Sequence, residues 1–360
     1  MLDLVEEIDS NVGEVRFEGL DMSFGELVSL HSSDPQELVI APEYQRLFRW
    51  STEQRSRLIE SVILELPIPQ IFMIENNDGV LELIDGLQRV SSVFQFMDSE
   101  SINQKPLVLD GCDLIPSVNG MTFNDLPLTL RLRIKRSSVR VVVIKRQSES
   151  FLRYEMFKRL NTGGAELAPQ EIRNCSARML GDNGVFFYQF LKECAEQSNY
   201  VSCTQTISSS DADKMGAEEL VLRFFAVKNY REKFKGSVRD WLDSYMEDIL
   251  FDRASFNYEE EKLHFCRVFK VLANAMGAQA FVKHRDDLPI GALAPAFFEA
   301  VSGATSHKLV LMESLKPETI KEAIVRCVQS EEFRQQTGPG ANSKPKLQRR
   351  IELIEETVAP

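Results

Sequence analysis

Leu83-Ile84-Asp85-Gly86-Leu87-Gln88-Arg89 is the stretch on which the fold turns. Val80 to Ile84 before it reads as a strand, and Leu87, Val90, Val93, Phe94 and Met97 after it mark the buried stripe of a helix. A strand that passes through Asp-Gly directly into a helix leaves first-turn amides without intrahelical partners, beside the positive end of the helix dipole. Such a turn binds phosphate without any special side chain. Gly86 permits close backbone approach. Arg89 adds a planar fork of donors, each charge-assisted bond contributing about 1.5–3 kcal/mol. Gln88 can donate and accept, and Asp85 can hold a magnesium ion through water or orient an attacking water. Asp85, Gln88 and Arg89 are the candidate catalytic residues and Gly86 a candidate nucleotide-binding residue. A plain structural reading competes with this one, because Asp-Gly before a helix also serves as a turn and cap, and Arg89 as a surface ion pair.

Upstream, Ile71-Phe72-Met73-Ile74 and Val80 to Ile84 flank Asn76-Asn77-Asp78-Gly79, the signature of a β-hairpin. Ser51 to Gln54 is a capping box opening a helix that buries Leu58, Ile59, Val62 and Ile63, and Pro67 and Pro69 end it. Ser23 to Glu26 repeats the box pattern before a short helix to about His31, and Leu38-Val39-Ile40 is a short strand. Between that strand and the Ser51 helix, Tyr44, Gln45 and Arg46 lie in a loop with Phe48 and Trp50. There an aromatic face can stack a base and Arg46 can meet a phosphate, while Phe48 and Trp50 read as core anchors.

Downstream, a basic helical piece from Leu126 to Lys135 precedes a β-branched strand, Val139 to Ile144. A helix is expected over 148–160, ending in Asn161-Thr162-Gly163-Gly164, where Asn161 and Thr162 offer polar side chains at a helix stop. A further helix runs from Pro169 to Leu180. Beyond Gly181 the periods are helical only: Glu218–Asn229, Val238–Leu250, Glu259–Met276, Ile290–Val301 and Pro317–Gln329. A loop over 335–345 separates these from a last helix around Lys346 to Glu356. The expected class is α+β, with an acidic arm over 1–20, an α/β domain over 21–180 and a helical domain over 181–360.

The net charge of −12 argues against wholesale coating of nucleic acid, until it is divided by segment. Residues 1–40 carry ten acids and one base, residues 41–174 seventeen of each, and the rest twenty-seven acids and twenty-four bases. The acidity is an N-terminal feature. Between Arg131 and Arg159 ten bases meet two acids, so Arg131, Arg133, Lys135 and Arg136 are candidate nucleic-acid contacts, although a strand alternates faces and the whole stretch cannot align. The acidic head either lies away from the phosphate turn or covers this basic stretch. Six cysteines without a C-x-x-C pair and four isolated histidines lack the spacing of a zinc or His-metal centre. No run approaches a membrane span, and the N-terminus lacks a signal peptide's basic head and apolar core, so a cytoplasmic protein without membrane contact is expected.

Taken in order, Tyr44-Gln45-Arg46-x-Phe48-x-Trp50, Pro67-Ile68-Pro69, Asp85-Gly86-x-Gln88-Arg89, Phe157-x-Arg159-x-Asn161-Thr162-x-Gly164 and Glu171-Ile172-Arg173-Asn174 form a specific set. The chain resembles the N-terminal domain family of GmrSD-type modification-dependent restriction endonucleases, whose fold is similar to the ParB and sulfiredoxin nucleotide-binding fold. The resemblance runs over essentially the whole chain. It implies nucleoside triphosphate (ATP or GTP) binding and hydrolysis with magnesium at the Asp-Gly-Gln-Gln-Arg motif, which falls on Asp85, Gly86, Gln88 and Arg89. It implies a nucleotide-dependent sensor or regulator of antiviral defence acting with a separate effector, a nuclease or an ATPase, with DNA as a further partner. Leu87 stands where the motif most often has Gln, a departure that bears on hydrolysis more than on binding. Complete members carry a His-Asn-His nuclease domain, and no clustered histidines are present, so DNA cutting by this chain is not expected. A sulfiredoxin-like reductase is disfavoured because positions 87 and 88 are Leu and Gln, not a reactive Cys. The alternative is a non-enzymatic DNA- or protein-binding module on the same fold.

Overall fold

The α/β half is ordered by one sheet. In the computed structural model, residues 16–40, 50–76, 78–145, 168–178, 180–212, 214–285, 288–338 and 340–358 are described. The chain divides into two units, Met1–Glu166 and Leu167–Pro360. In the first, β1 (Phe17–Ser23), β2 (Leu38–Val39), β3 (Ile71–Glu75), β4 (Leu81–Asp85) and β5 (Ser138–Ile144) form a sheet in the order β1-β5-β3-β4-β2. Among the described residues, the α-helices of this unit are α1 (Phe24–His31), α2 (Thr52–Ile63), α3 (Leu87–Met97) and α4 (Leu128–Arg136).

Local chemistry sets most of these bounds. Ser51 and Gln54 exchange both capping-box bonds at the start of α2, whereas at α1 only the Ser23 half forms, its Oγ accepting from the Glu26 amide. Helix α3 is buried almost all round, from Leu87 through Val90, Val93 and Phe94 to Phe96, and packs among Leu58, Ile59 and Val62 of α2 and Ile71, Met73 and Leu83 of the sheet. Its one long polar side chain in that environment, Gln95, accepts from Arg55 at 2.6 Å and donates to the Lys105 carbonyl at 3.0 Å. Buried Glu60 accepts from the amides of Leu114 and Ile115, and so fastens the 99–126 segment to α2.

Residues 17–20, expected within an acidic arm, instead belong to edge strand β1. Its acids face the basic strand β5: Asp21 lies opposite Arg140 in register and pairs with it at 3.1 Å, and Glu18 reaches Lys145 at 2.8 Å. Acidic head and basic stretch thus meet in part, as cross-strand partners. The helix expected over 148–160 lies outside the described residues.

The second unit is helical. Its longer helices are α5 (Pro169–Arg178), α6 (Asp182–Ala195), α7 (Gly216–Asn229), α8 (Val238–Leu250), α9 (Tyr258–Ala275), α10 (Pro295–His307), α11 (Pro317–Gln329) and α12 (Lys344–Val358). One small antiparallel hairpin interrupts them, Lys283–Arg285 with Leu288–Ile290. The helix expected from Ile290 starts only at Pro295, whose ring suits a first helical position. The loop expected over 335–345 is shorter, because one helix runs to Thr337 and α12 begins at Lys344, where Pro345 needs no intrahelical donor.

Charge runs through the interior of this unit as an alternating chain. Arg173 donates to Asp243 at 2.7 Å and to Glu219 at 3.2 Å; Glu219 also accepts from Arg223 at 2.9 Å. Arg223 continues to Glu299 at 2.7 Å, and Glu299 to Arg350. Arg173, Glu299 and Arg350 are each about 98–99% buried. These pairs tie α5, α7, α8, α10 and α12 together. Burial pushes the thiols of Cys194 and Cys203 up to about 12, so both stay protonated and unreactive. Among the described residues no helix is long and apolar enough to cross a membrane.

Candidate functional site

Sheet topology gathers the chemistry at one edge. β4 runs antiparallel to β3, with Asp85 opposite Phe72, and β3 runs parallel to β5, with Ile71 opposite Val141. The carboxyl ends of β1, β2 and β4 and the amino ends of β3 and β5 therefore share that edge. In open sheets with parallel strands, the crevice outside strand carboxyl ends is the usual ligand position.

Gly86 makes the turn there. Its φ of 98° is a backbone state that L side chains rarely adopt, and an added Cβ would lie 2.4 Å from Ile71 Cγ2. Both the conformation and the close packing on β3 require glycine. The helix that follows, α3, has no side-chain cap and no acidic residue in its first turn, so its amino end faces the edge with its dipole unneutralised from within the helix.

Arg89 and Asp85 stand at this end as a pair. Arg89 donates through Nη2 to Asp85 Oδ2 at 2.7 Å and through Nη1 to the Gln70 carbonyl at 3.0 Å. Their side chains keep 15% and 25% of their surface, which makes the pair neither a screened surface contact nor a sealed core pair. The guanidinium is thus held at the turn by two bonds, and among the described residues no partner takes the rest of its donor fork. Leu87 packs into the core, so the side chain at this departure from the motif faces inward.

Gln88, a candidate catalytic residue, makes a long-range contact in this structure. Its Oε1 accepts from the Trp50 amide at 3.1 Å, across thirty-eight positions of sequence. Trp50 packs against the core. Strand β2, parallel to β4 with Val39 opposite Glu82, delivers the chain to the same edge at Ile40. Both described ends of the segment that carries Tyr44, Gln45 and Arg46 therefore stand beside the Gly86 turn, although those three residues lie outside the described residues. Asn161 and Thr162 lie outside them too. Their segment departs from the opposite edge, since Ile144 at the end of β5 pairs with Ile74. Replacing Gln88 with Ala is expected to loosen the Trp50 tether, shifting Trp50 emission to the red and weakening nucleotide binding. Glu at position 88 keeps an acceptor oxygen and is expected to restore the emission, a split that a role in bond-breaking alone would not give.

The four candidate nucleic-acid bases separate into two pairs on α4. Positions 131 and 135 share one side of the helix and 133 and 136 another. Arg133 pairs with Glu65 at 3.4 Å and donates to the Ile63 carbonyl. Arg136 is exposed. Arg131 keeps a buried Nε without a hydrogen-bond partner. The function of the Arg173 chain was not legible from sequence: Arg173 belonged to a motif, but its partners lie 46 and 70 positions away.

Residues 24–177 match the family model described as GmrSD restriction endonuclease, N-terminal domain. The match begins at the first residue of α1 and ends inside α5, so it takes in the Gly86 turn and the segments holding Tyr44 and Asn161. The helical remainder lies beyond it, which narrows the whole-chain resemblance drawn from motifs to this segment. No curated protein and no solved structure matches the chain.

Proposed function

We propose that this chain, whose residues 24–177 are a domain of the GmrSD restriction endonuclease N-terminal family, is the nucleotide-sensing component of a restriction or phage-defence system and acts on a separate effector. The observation that carries this reading is the Gly86 turn, where a left-handed glycine joins a strand end to an uncapped helix with Arg89 and Asp85 at its mouth. A triphosphate supplies the negative charge that the helix end lacks, and Arg89 is placed to meet it. Asp85 is the residue to hold magnesium, an ion that would neutralise phosphate charge at this position. Among the described residues no three His, Cys, Asp or Glu side chains form a metal cage. That is compatible with magnesium bound by one carboxylate together with the nucleotide's own phosphates.

With Asp85 freed from Arg89 by the ion, Arg89 can turn to the phosphate, so nucleotide and magnesium are expected to bind together. Inorganic phosphate released from each nucleoside triphosphate, with magnesium and with or without DNA, tests hydrolysis. Release above buffer that falls to background in Asp85→Asn supports a hydrolysing sensor. Binding without release from any nucleotide would reduce the function to a switch set by occupancy alone.

A further inference from the structure

The helical unit holds a small cleft that the nucleotide reading does not use. It measures about 130 Å³, well below the roughly 300–1,000 Å³ that receives a whole small molecule, so its size suits the end group of a ligand. Asn183 and Phe186 of α6, Leu250 at the end of α8, and Asp252, Phe256 and Tyr258 from the connection into α9 stand in its wall.

Three of these residues form an aromatic corner. The Tyr258 ring is nearly perpendicular to Phe186, at 4.8 Å between centroids and 75°, and to Phe256, at 5.0 Å and 77°. Behind them the buried Phe190 ring packs against both Tyr258, at 5.2 Å, and Phe256, at 5.5 Å, and so holds the two in place. Phe186 is 57% exposed, and Phe256 and Tyr258 each keep part of their surface. The aromatic wall is therefore accessible surface rather than core.

The charge around the corner is negative. Helix α8 ends at the cleft with no basic residue in its last turn, so the negative end of its dipole is unneutralised from within the helix. Asp252 follows, exposed and at φ +54°, a backbone state disfavoured for a residue other than glycine and one that marks functional positions more often than structural ones. Neither its carboxylate nor the Asn183 amide makes a hydrogen bond or ion pair among the described residues. Burial, and after it the charge of Asp252, pushes the Tyr258 hydroxyl up to about 12, so the ring stays neutral. Across residues 248–261 five acids meet one base, and that base, Arg253, lies over the Phe251 ring at 5.2 Å. The positive amino end of α6 is offset by Asp182 in its first turn.

We propose that this corner binds a methylated ammonium group, with its methyls against Phe186, Phe256 and Tyr258 and its charge facing Asp252 and the carboxyl end of α8. Aromatic faces attract such a cation through the ring quadrupole, most strongly where water is excluded. A bare ammonium is strongly hydrated and brings three donors, which one carboxylate does not satisfy; methylation removes both demands. An anion would be repelled by Asp252, and a neutral apolar group would leave its carboxylate unused. A free quaternary amine and a methylated lysine side chain present the same group. The proposal is independent of the nucleotide reading.

Saturation-transfer NMR on the full-length protein tests it, with three probes: choline, a short peptide carrying one trimethylated lysine, and the neutral tert-butyl analogue of choline. At least one of the two cations is expected to bind about tenfold or more tightly than the neutral analogue, and the tighter cation identifies the source. Asp252→Asn, which the left-handed backbone tolerates, is expected to weaken cation binding about tenfold. Phe186→Leu keeps apolar bulk without a ring face and is expected to weaken it about fivefold, while Phe186→Trp restores it. Both positions are exposed, so the melting temperature is expected to hold. Equal affinity for cation and neutral analogue would overturn the proposal, as would full affinity in the Asp252→Asn, Phe186→Leu double variant. Absence of transfer to either cation would overturn it as well.

Discussion

Glu299→Ala is expected to lower the stability of the helical unit by about 3–5 kcal/mol. The carboxylate is 2% exposed and its two oxygens serve two different guanidinium groups, Arg223 from α7 and Arg350 from α12. Removing it leaves two positive charges without their shared counter-ion in a region that water does not reach. Arg350 would retain only its bond to the Ala341 carbonyl at 3.0 Å among those described. The chain holds two tryptophans, Trp50 in one unit and Trp241 in the other. In a Trp50→Phe background, urea unfolding followed at Trp241 reports the helical unit; its indole is 3% exposed and donates to the Tyr230 carbonyl. Replacing Glu299, Arg223 and Arg350 together with apolar residues of similar size is expected to recover most of the loss, because the damage comes from unpaired charge rather than from the missing pair. An equal loss in the triple variant would show that the ion pairs themselves stabilise the unit.

The second large effect falls on the phosphate turn. Gly86→Ala is expected to cost the α/β unit about 2–4 kcal/mol, adding the strain of a left-handed backbone to overpacking against a fully buried Ile71. Gly79 is a built-in comparison, since its φ of 86° is similar but nothing lies within 4 Å of an added Cβ. Gly79→Ala therefore measures the backbone cost alone, and the excess at Gly86 measures the close approach to β3. Ile71→Ala should recover part of that excess. Trp50, in a Trp241→Phe background, reports both. Any shift of the α3 amino end also carries Arg89 and Gln88 with it, so phosphate binding should fall further than stability does.

The fold is legible in the sequence where short-range chemistry decides. Capping at Ser51, the hairpin around Asn76 to Gly79, the Asp85-Gly86 passage from strand to helix and the stripe of α3 all depend on neighbours within a few positions, and all are present. Helices Val238–Leu250 and Pro317–Gln329 begin and end where their apolar periods do. The fold is not legible where a distant partner decides. Phe17–Ser23 is acidic and weakly apolar, and it becomes a strand because β5 offers it a basic, β-branched edge more than a hundred positions away, as the Asp21–Arg140 bond shows. Ile290 is a different case, since it pairs with Lys283 only seven positions back in a local hairpin instead of opening the helix its apolar period suggests.

At the site, the glycine, its arginine and its aspartate were legible as a group, because strand, turn and helix are continuous in sequence. Two things were not. The sequence does not reveal that Arg89 spends two bonds on Asp85 and Gln70, or that Gln88 reaches back to Trp50. The Gln70 bond depends on how the start of β3 lies beside the turn, and the Trp50 bond on how the entry to α2 lies beside α3. Nor did the run Arg131 to Arg136 disclose that Glu65, from a different helix, faces one of its members.

The central claim is that the amino end of α3 is a triphosphate site built on Arg89 and Asp85. Calorimetric titration of each nucleoside triphosphate with magnesium into the full-length protein tests it most directly. Saturable binding of at least one nucleotide is expected, at least tenfold weaker in Arg89→Ala, as the loss of a charge-assisted contact of about 1.5–3 kcal/mol requires. Asp85→Ala should abolish the dependence on magnesium. No binding of any nucleotide, or full affinity in a folded Arg89→Ala variant, would contradict the claim.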